Sequence, residues 1–196
     1  MAQRFASALR TLGKLFQDAS ADLAIQIRFA LIGGLAVSAW GRVRATQDID
    51  VLADSDPSPI QDRALRVRLT AFWEARGCAV EWRAGTVDDP IALLLRLGLP
   101  RRVRMTADIL WAQKQWQREA LKRACSVRVS RATVFVLHPE DLILMKLEAG
   151  GPQDLLDVEG ILSTKPPELD RERLTQAAAR LRLKTLLDKC MRRAGQ

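Results

Sequence analysis

The chain has 196 residues, with 31 Lys and Arg against 23 Asp and Glu and a formal net charge of +8. Hydrophobic residues make up 48% and charged residues 28%, which argues against disorder and suits one packed domain, or a small domain with an appended helical piece. No apolar run reaches the ~18 residues that would span a bilayer, so no membrane partner is expected, while the basic balance favours polyanions such as nucleotides or nucleic acid. The first residues mix charge with apolar side chains and lack a signal-peptide core. Cys78, Cys125 and Cys190 lie far apart, with no zinc spacing or disulfide framework, which points to a reducing cytoplasm. His138 is the single histidine, so chemistry is expected to run on carboxylates, backbone amides and basic groups.

In chain order, residues 5–19 space Phe5, Leu9, Leu12, Leu15, Phe16 and Ala19 as an amphipathic helix. A short apolar run, 29–32, stops at Gly33-Gly34, and 35–40 suit a short helix: strand, glycine turn, helix. Residues 46–53 read as a second strand. A helix over 60–76 follows, with Gly77 placed as its C-terminal cap. The spacing then predicts a strand at 79–83, a helix around 90–97, a strand at 103–111, a polar helix near 113–124 and extended structure at 127–137. From His138 the pattern changes. Pro139 fits a first helical position, and Glu140 and Asp141 face the positive end of the helix dipole. Helices are expected to 149 and over 152–163, 169–182 and 184–193. The architecture expected is an α/β sheet domain over residues 1–137 and a helical segment over 138–196.

Chemistry concentrates in two stretches. Asp48 and Asp50 are two apart on a predicted strand, which puts both on one face about 6–7 Å apart, with Ile49 and Val51 on the other. Like charges at this spacing are tolerable when solvated or when a divalent cation lies between them. Mg²⁺ takes one or two carboxylates plus phosphate oxygens, and a two-metal site would hold both the attacking and the leaving oxygen of a phosphoryl displacement. Gly33-Gly34 would let a phosphate approach the backbone, with the amides of the next helix facing it. Asp108 is a lone carboxylate in an apolar strand. It would be costly to bury unless paired or bound to metal. If its strand lies beside that of Asp50, three acids converge, and Asp108 becomes a candidate base for an attacking hydroxyl. A plain turn for the glycines, a solvated strand end for Asp48 and Asp50, and an ion pair with an arginine such as Arg104 for Asp108 are the competing structural accounts.

With Arg42, the segment Arg44-Ala45-Thr46-Gln47-Asp48-Ile49-Asp50, and the later Pro139-Glu140-Asp141-Leu142-Ile143 with Lys146, the chain resembles the polymerase-β-type nucleotidyltransferases, most nearly the minimal AbiEii-like branch that includes toxins of toxin–antitoxin systems. The resemblance covers roughly residues 29–163. It implies an α+β fold, with a nucleotidyltransferase-like mixed sheet flanked by helices and a C-terminal helical segment. It implies transfer of a nucleotidyl group from a nucleoside triphosphate to an acceptor hydroxyl with two Mg²⁺. By the same resemblance, Asp48, Asp50 and Asp108 are the catalytic acids and metal ligands, and Gly33, Gly34, Arg44 and Lys146 contact the nucleotide. A tRNA 3′ end or other RNA is the acceptor it suggests, with a cognate antitoxin as a further partner. A small-molecule or protein acceptor is the alternative, as is a non-catalytic nucleotide- or RNA-binding protein of the same fold.

Lys146 lies in a nearly all-apolar helix, where a stem covering the core explains it as well as phosphate binding does. Asp154 and Asp157 are spaced to share a helix face, where the helix dipole would also favour them. From Arg96 to Arg131 there are ten basic residues against Asp108 and Glu119, an excess as large as that of the whole chain. A basic face of that density would attract a phosphate backbone; a solvated surface is the competing account. Trp111 and Trp116 are read as core, and His138 as a helix cap.

Overall fold

A computed structural model describes residues 2–43, 45–85, 92–129 and 132–195. Seven strands form one mixed sheet: β1 (Gln26–Leu31), β2 (Ile49–Asp56), β3 (Ala79–Ala84), β4 (Leu93–Gly98), β5 (Thr106–Trp111), β6 (Cys125–Val129) and β7 (Ala132–Val136). Their spatial order is β3-β4-β5-β2-β1-β7-β6. β2 runs antiparallel to β1 and parallel to β5; β4 is antiparallel to both β3 and β5.

The helices among the described residues follow from the apolar spacing. In α1 (Ala2–Asp22) the residues Leu9, Leu12, Phe16 and Ala19 are buried, and Phe16 meets Phe29 of β1 with ring centroids 4.5 Å apart. The short α2 (Gly33–Ala39) follows β1 directly, and α3 (Arg63–Glu74) starts at Asp62, whose carboxylate accepts from the Leu65 amide as an N-cap. Next come α4 (Gln115–Arg123), α5 (Pro139–Ala149), α6 (Pro152–Thr164), α7 (Arg171–Arg180) and α8 (Lys184–Arg193). Pro139 and Pro152 occupy first-turn positions of α5 and α6. The α5–α6 hairpin is tied to the sheet domain: Trp40 Nε1 donates to the Leu137 carbonyl at 3.0 Å, and Thr164 Oγ1 donates to the Trp40 carbonyl at 3.0 Å. Among the described residues no helix is long and apolar enough to cross a membrane.

Two expectations are corrected. The stretch expected as a helix around 90–97 is a bend at residue 92 and the strand β4 from Leu93 onward; its first two residues lie outside the described residues. Leu93, Leu95 and Leu97 are buried while Leu94, Arg96 and Gly98 alternate toward the other face, a period of two. Leucine favours helices, but pairing on both sides with β3 and β5 outweighs that intrinsic preference. The second correction is that β2 begins at Ile49. Asp48 lies in the bend before it, where Thr46 Oγ1 donates to the Asp48 carbonyl at 3.1 Å.

His138 does occupy the N-cap position of α5, yet its ring pairs with the Glu140 carboxylate rather than capping an amide. Trp111 is buried and stacks on Trp82 with centroids 6.3 Å apart, which is core packing.

Candidate active site

Strand register brings the acids together. Asp50 of β2 lies directly opposite Asp108 of β5, and Asp108 lies opposite Arg96 of β4. All three alternate with buried neighbours (Ile49 and Val51, Ala107 and Ile109, Leu95 and Leu97), so they form one charged row on one face of the sheet. Arg96 grips Asp108 with a two-pronged contact: Nε donates to Oδ1 at 2.9 Å and Nη2 donates to Oδ2 at 3.1 Å. The same guanidinium lies 4.0 Å from an Asp48 carboxylate oxygen. Asp108 is therefore arginine-paired, as the competing account of the sequence held, but its partner is Arg96 rather than Arg104.

Asp50 sits against the glycine turn. Gly33 has φ +61, and a Cβ there would lie 1.9 Å from Asp50 Oδ2. Only glycine accommodates both the left-handed backbone and the carboxylate. The Gly34 amide donates to the Asp50 carboxylate, so this amide serves the acid itself. Burial, then the Asp108 charge and, more weakly, Asp48 push the Asp50 carboxyl up to about 6, with Lys146 opposing. No Lys or Arg nitrogen among the described residues comes within ion-pair distance of it. A carboxylate pressed out of water beside two others, with too little positive charge of its own, is a donor that a divalent cation fits. Asp50 presents such oxygens; Asp48 is 42% exposed and lies 4.0 Å from Arg96, and both Asp108 oxygens accept from Arg96. Among the described residues, no group of three or more His, Cys, Asp or Glu is placed to hold a metal ion.

The opposite wall comes from the helical segment. A cleft of about 300 Å³ is lined by Gly33, Asp50, Leu110, Lys146 and Asp154, among others, so Lys146 does face Asp50 across one space. Lys146 is only 12% exposed. Its Nζ donates to Asp154 at 2.6 Å and lies 3.2 Å from Asp157, which is fully buried. Asp157 also accepts from Gln153 Nε2 at 3.1 Å and lies 3.6 Å from an Arg42 guanidinium nitrogen. The Arg42 stem crosses α6 at Gly160, where a Cβ would be 2.0 Å from Arg42 Cδ. On the far side of the acids a second cleft of about 400 Å³ is lined by Arg4, Thr46, Gln47, Asp48, Arg104 and Thr106, with Phe5 and Met105.

Arg44 lies outside the described residues. The sequence reading missed the roles of Arg96 and Gly160. A period-two reading of residues 93–98 would have turned Arg96 toward Asp108. A glycine inside an otherwise good helix was the signal for Gly160. Four of the ten basic residues from Arg96 to Arg131 are ion-paired within the chain: Arg96 with Asp108, Lys114 with Glu148, Arg118 with Asp54, and Arg123 with the buried Asp141.

No family model and no curated protein matches the chain. Among solved structures, the solution structure of the antibiotic-resistance factor ANT(2'')-Ia is similar at a TM-score of 0.51 and 18% identity, over 92% of this chain and 95% of that one. The crystal structure of an antigenic nucleotidyltransferase-like protein from Paracoccidioides brasiliensis is similar at a TM-score of 0.48 and 18% identity, over 94% of this chain and 92% of that one. The architecture, a seven-stranded mixed sheet flanked by helices among the described residues, is thus the fold that the chain shares with ANT(2'')-Ia.

Proposed function

We propose that the chain is a nucleotidyltransferase that moves a nucleotidyl group from a nucleoside triphosphate to an acceptor hydroxyl. The observation that carries this reading is Asp50. Its carboxylate is desolvated, seated on a glycine that no other residue can replace, aligned with Asp108, and faces Lys146 across a cleft. Asp48 and Asp50 would hold Mg²⁺, which neutralises phosphate charge as it builds up during displacement. The cleft walled by Gly33 and Lys146 takes the triphosphate, with the Lys146 ammonium as its fixed positive charge. Asp154 and Asp157 hold that ammonium in place. Asp108 is the acid directly opposite Asp50 across the sheet, and a lone pair left on its Arg96-held carboxylate is the proton acceptor for the attacking hydroxyl. An RNA 3′ end, that of a tRNA in the first instance, enters by the second cleft. The argument for it is that Arg4 and Arg104 line that cleft, two cations placed to meet a phosphate backbone. The toxin-like role, with a cognate antitoxin, rests on the resemblance of the motifs to the AbiEii-like branch.

The test is a transfer screen. The protein is incubated with each labelled NTP, Mg²⁺ and either total RNA or a panel of small hydroxylated compounds. Label appearing on an RNA 3′ end, and absent with Asp50→Asn, is the expected result. Label on a small molecule keeps the enzyme and replaces the acceptor. Nucleotide binding without transfer from any NTP would make the protein a passive binder.

A further inference from the structure

We propose that Arg96 is a resident cation of the acid cluster: it occupies Asp108 and thereby limits the cluster to a single divalent metal, on Asp48 and Asp50. This rests on the metal-dependent reading above and departs from the two-ion expectation. The case is one of register and charge. Glu81, Arg96, Asp108 and Asp50 stand in one row across β3, β4, β5 and β2. Glu81 is engaged by Arg83 at 2.8 and 3.1 Å, so the Arg96 fork is turned to the acids. Both Asp108 oxygens receive a guanidinium N–H, and the third acid, Asp48, lies 4.0 Å from the same group.

Arg96 is not a surface side chain that settled there by chance. Leu95 and Leu97 on either side of it are completely buried, so the pleat of β4 fixes the face on which it emerges. A guanidinium does not lose its proton in any physiological range, so its charge is permanent. A second dication on Asp108 would have to displace a two-pronged ion pair and then sit beside the evicted positive charge. Asp50 meets no such competitor: among the described residues no ion pair engages it, and its carboxylate rests against the glycine at position 33. The cluster thus carries one built-in cation and one place for a metal.

Mn²⁺ binding to the full-length protein, read by electron paramagnetic resonance, tests this without any turnover. Wild type is expected to bind one Mn²⁺ per chain. Arg96→Met is expected to bind a second ion, or to bind the first about fivefold more tightly, because a positive charge has left the cluster. Arg96→Lys, which keeps the charge, should stay near wild type. As a second arm, the double variant Arg96→Met with Asp108→Asn, which removes both halves of the ion pair and leaves the net charge of the cluster unchanged, should bind one Mn²⁺ within about twofold of wild-type affinity, whereas loss of a true ligand would cost about tenfold or more. Two ions in wild type, an Arg96→Met variant that binds like wild type, a tenfold loss in the double variant, or no Mn²⁺ binding by any of these proteins would each overturn the proposal. Asp50-dependent label transfer is scored separately. It can stand when the Arg96 assignment fails, and the Mn²⁺ pattern can hold when transfer is absent.

Discussion

Asp50 on β2 and Asp157 on α6 are both carboxylates taken out of water, and the protein treats them in opposite ways. Asp157 is fully buried and compensated within the chain: Lys146 at 3.2 Å, an Arg42 nitrogen at 3.6 Å and a hydrogen bond from Gln153. Asp50 receives the Gly34 amide and little else, with two further acids beside it that raise its pKa. A buried charge is costly unless it is paired. On the function proposed above, the balanced carboxylate is a fixture that aims Lys146, and the unbalanced one is the place for a metal's charge.

That contrast can be broken at either end. Among substitutions that leave the acids themselves intact, the largest effect is expected from Gly33→Ala. Its Cβ would fall 1.9 Å from Asp50 Oδ2 at a φ that disfavours any side chain, so the carboxylate must move. Displacing a catalytic group by about an ångström costs on the order of 100-fold in rate, and the labelled-NTP assay should show that loss.

Lys146→Met attacks the balanced end. It strips the ammonium from the buried Asp157 and from Asp154 together, and breaking such a pair costs about 3–5 kcal/mol. Arg42 stays to offset part of that. Chemical denaturation should show a loss of about 2–4 kcal/mol, and no loss would mean that Asp157 is not held as described.

Asp50→Asn should do the opposite to stability while abolishing transfer. The folded carboxyl keeps its proton up to about pH 6, and the unfolded one releases it near 3.8. Stability of the wild type should therefore fall as pH rises from about 4 to about 6 and stay reduced above that, because the folded state binds more protons in that window. The asparagine variant lacks that decline and should be more stable at pH 7.5, by about 1–3 kcal/mol. Denaturation curves at pH 4.5 and 7.5 decide it; a variant no more stable than wild type at pH 7.5 would show that Asp50 is not strained by its surroundings. Gly160→Ala should have the smallest effect. Its Cβ meets the Arg42 stem, which can swing aside, so about 1 kcal/mol or less is expected, near the ordinary range for single substitutions.

Much of this was legible in the amino-acid order. The Gly33-Gly34 turn between a strand and a short helix, the strands that carry Asp50 and Asp108, and the four C-terminal helices all follow from apolar spacing and helix-start chemistry; that those two strands are neighbours is decided by the sheet. Asp154 and Asp157 were recognisable as one face, though not as the pair that binds Lys146. What failed did so for definite reasons. The leucine-rich residues 93–97 carry a helical preference that neighbouring strands override, and with β4 misread, Arg96 fell among surface cations instead of opposite Asp108. The basic stretch looked like a face because charge can be counted along a chain, whereas its partners Asp54, Asp141 and Glu148 come from distant elements.

The sequence by itself determined which chemistry was available: three carboxylates, a flexible glycine turn and one lysine in an apolar helix, with histidine all but absent. Only the tertiary structure decided how those groups are shared out. Whether a carboxylate meets an arginine, a lysine or an uncompensated neighbour depends on strand register and helix docking. Those are settled by burial of Leu95, Leu97, Ile109 and Val51 on the other face of the sheet, residues that carry no charge at all.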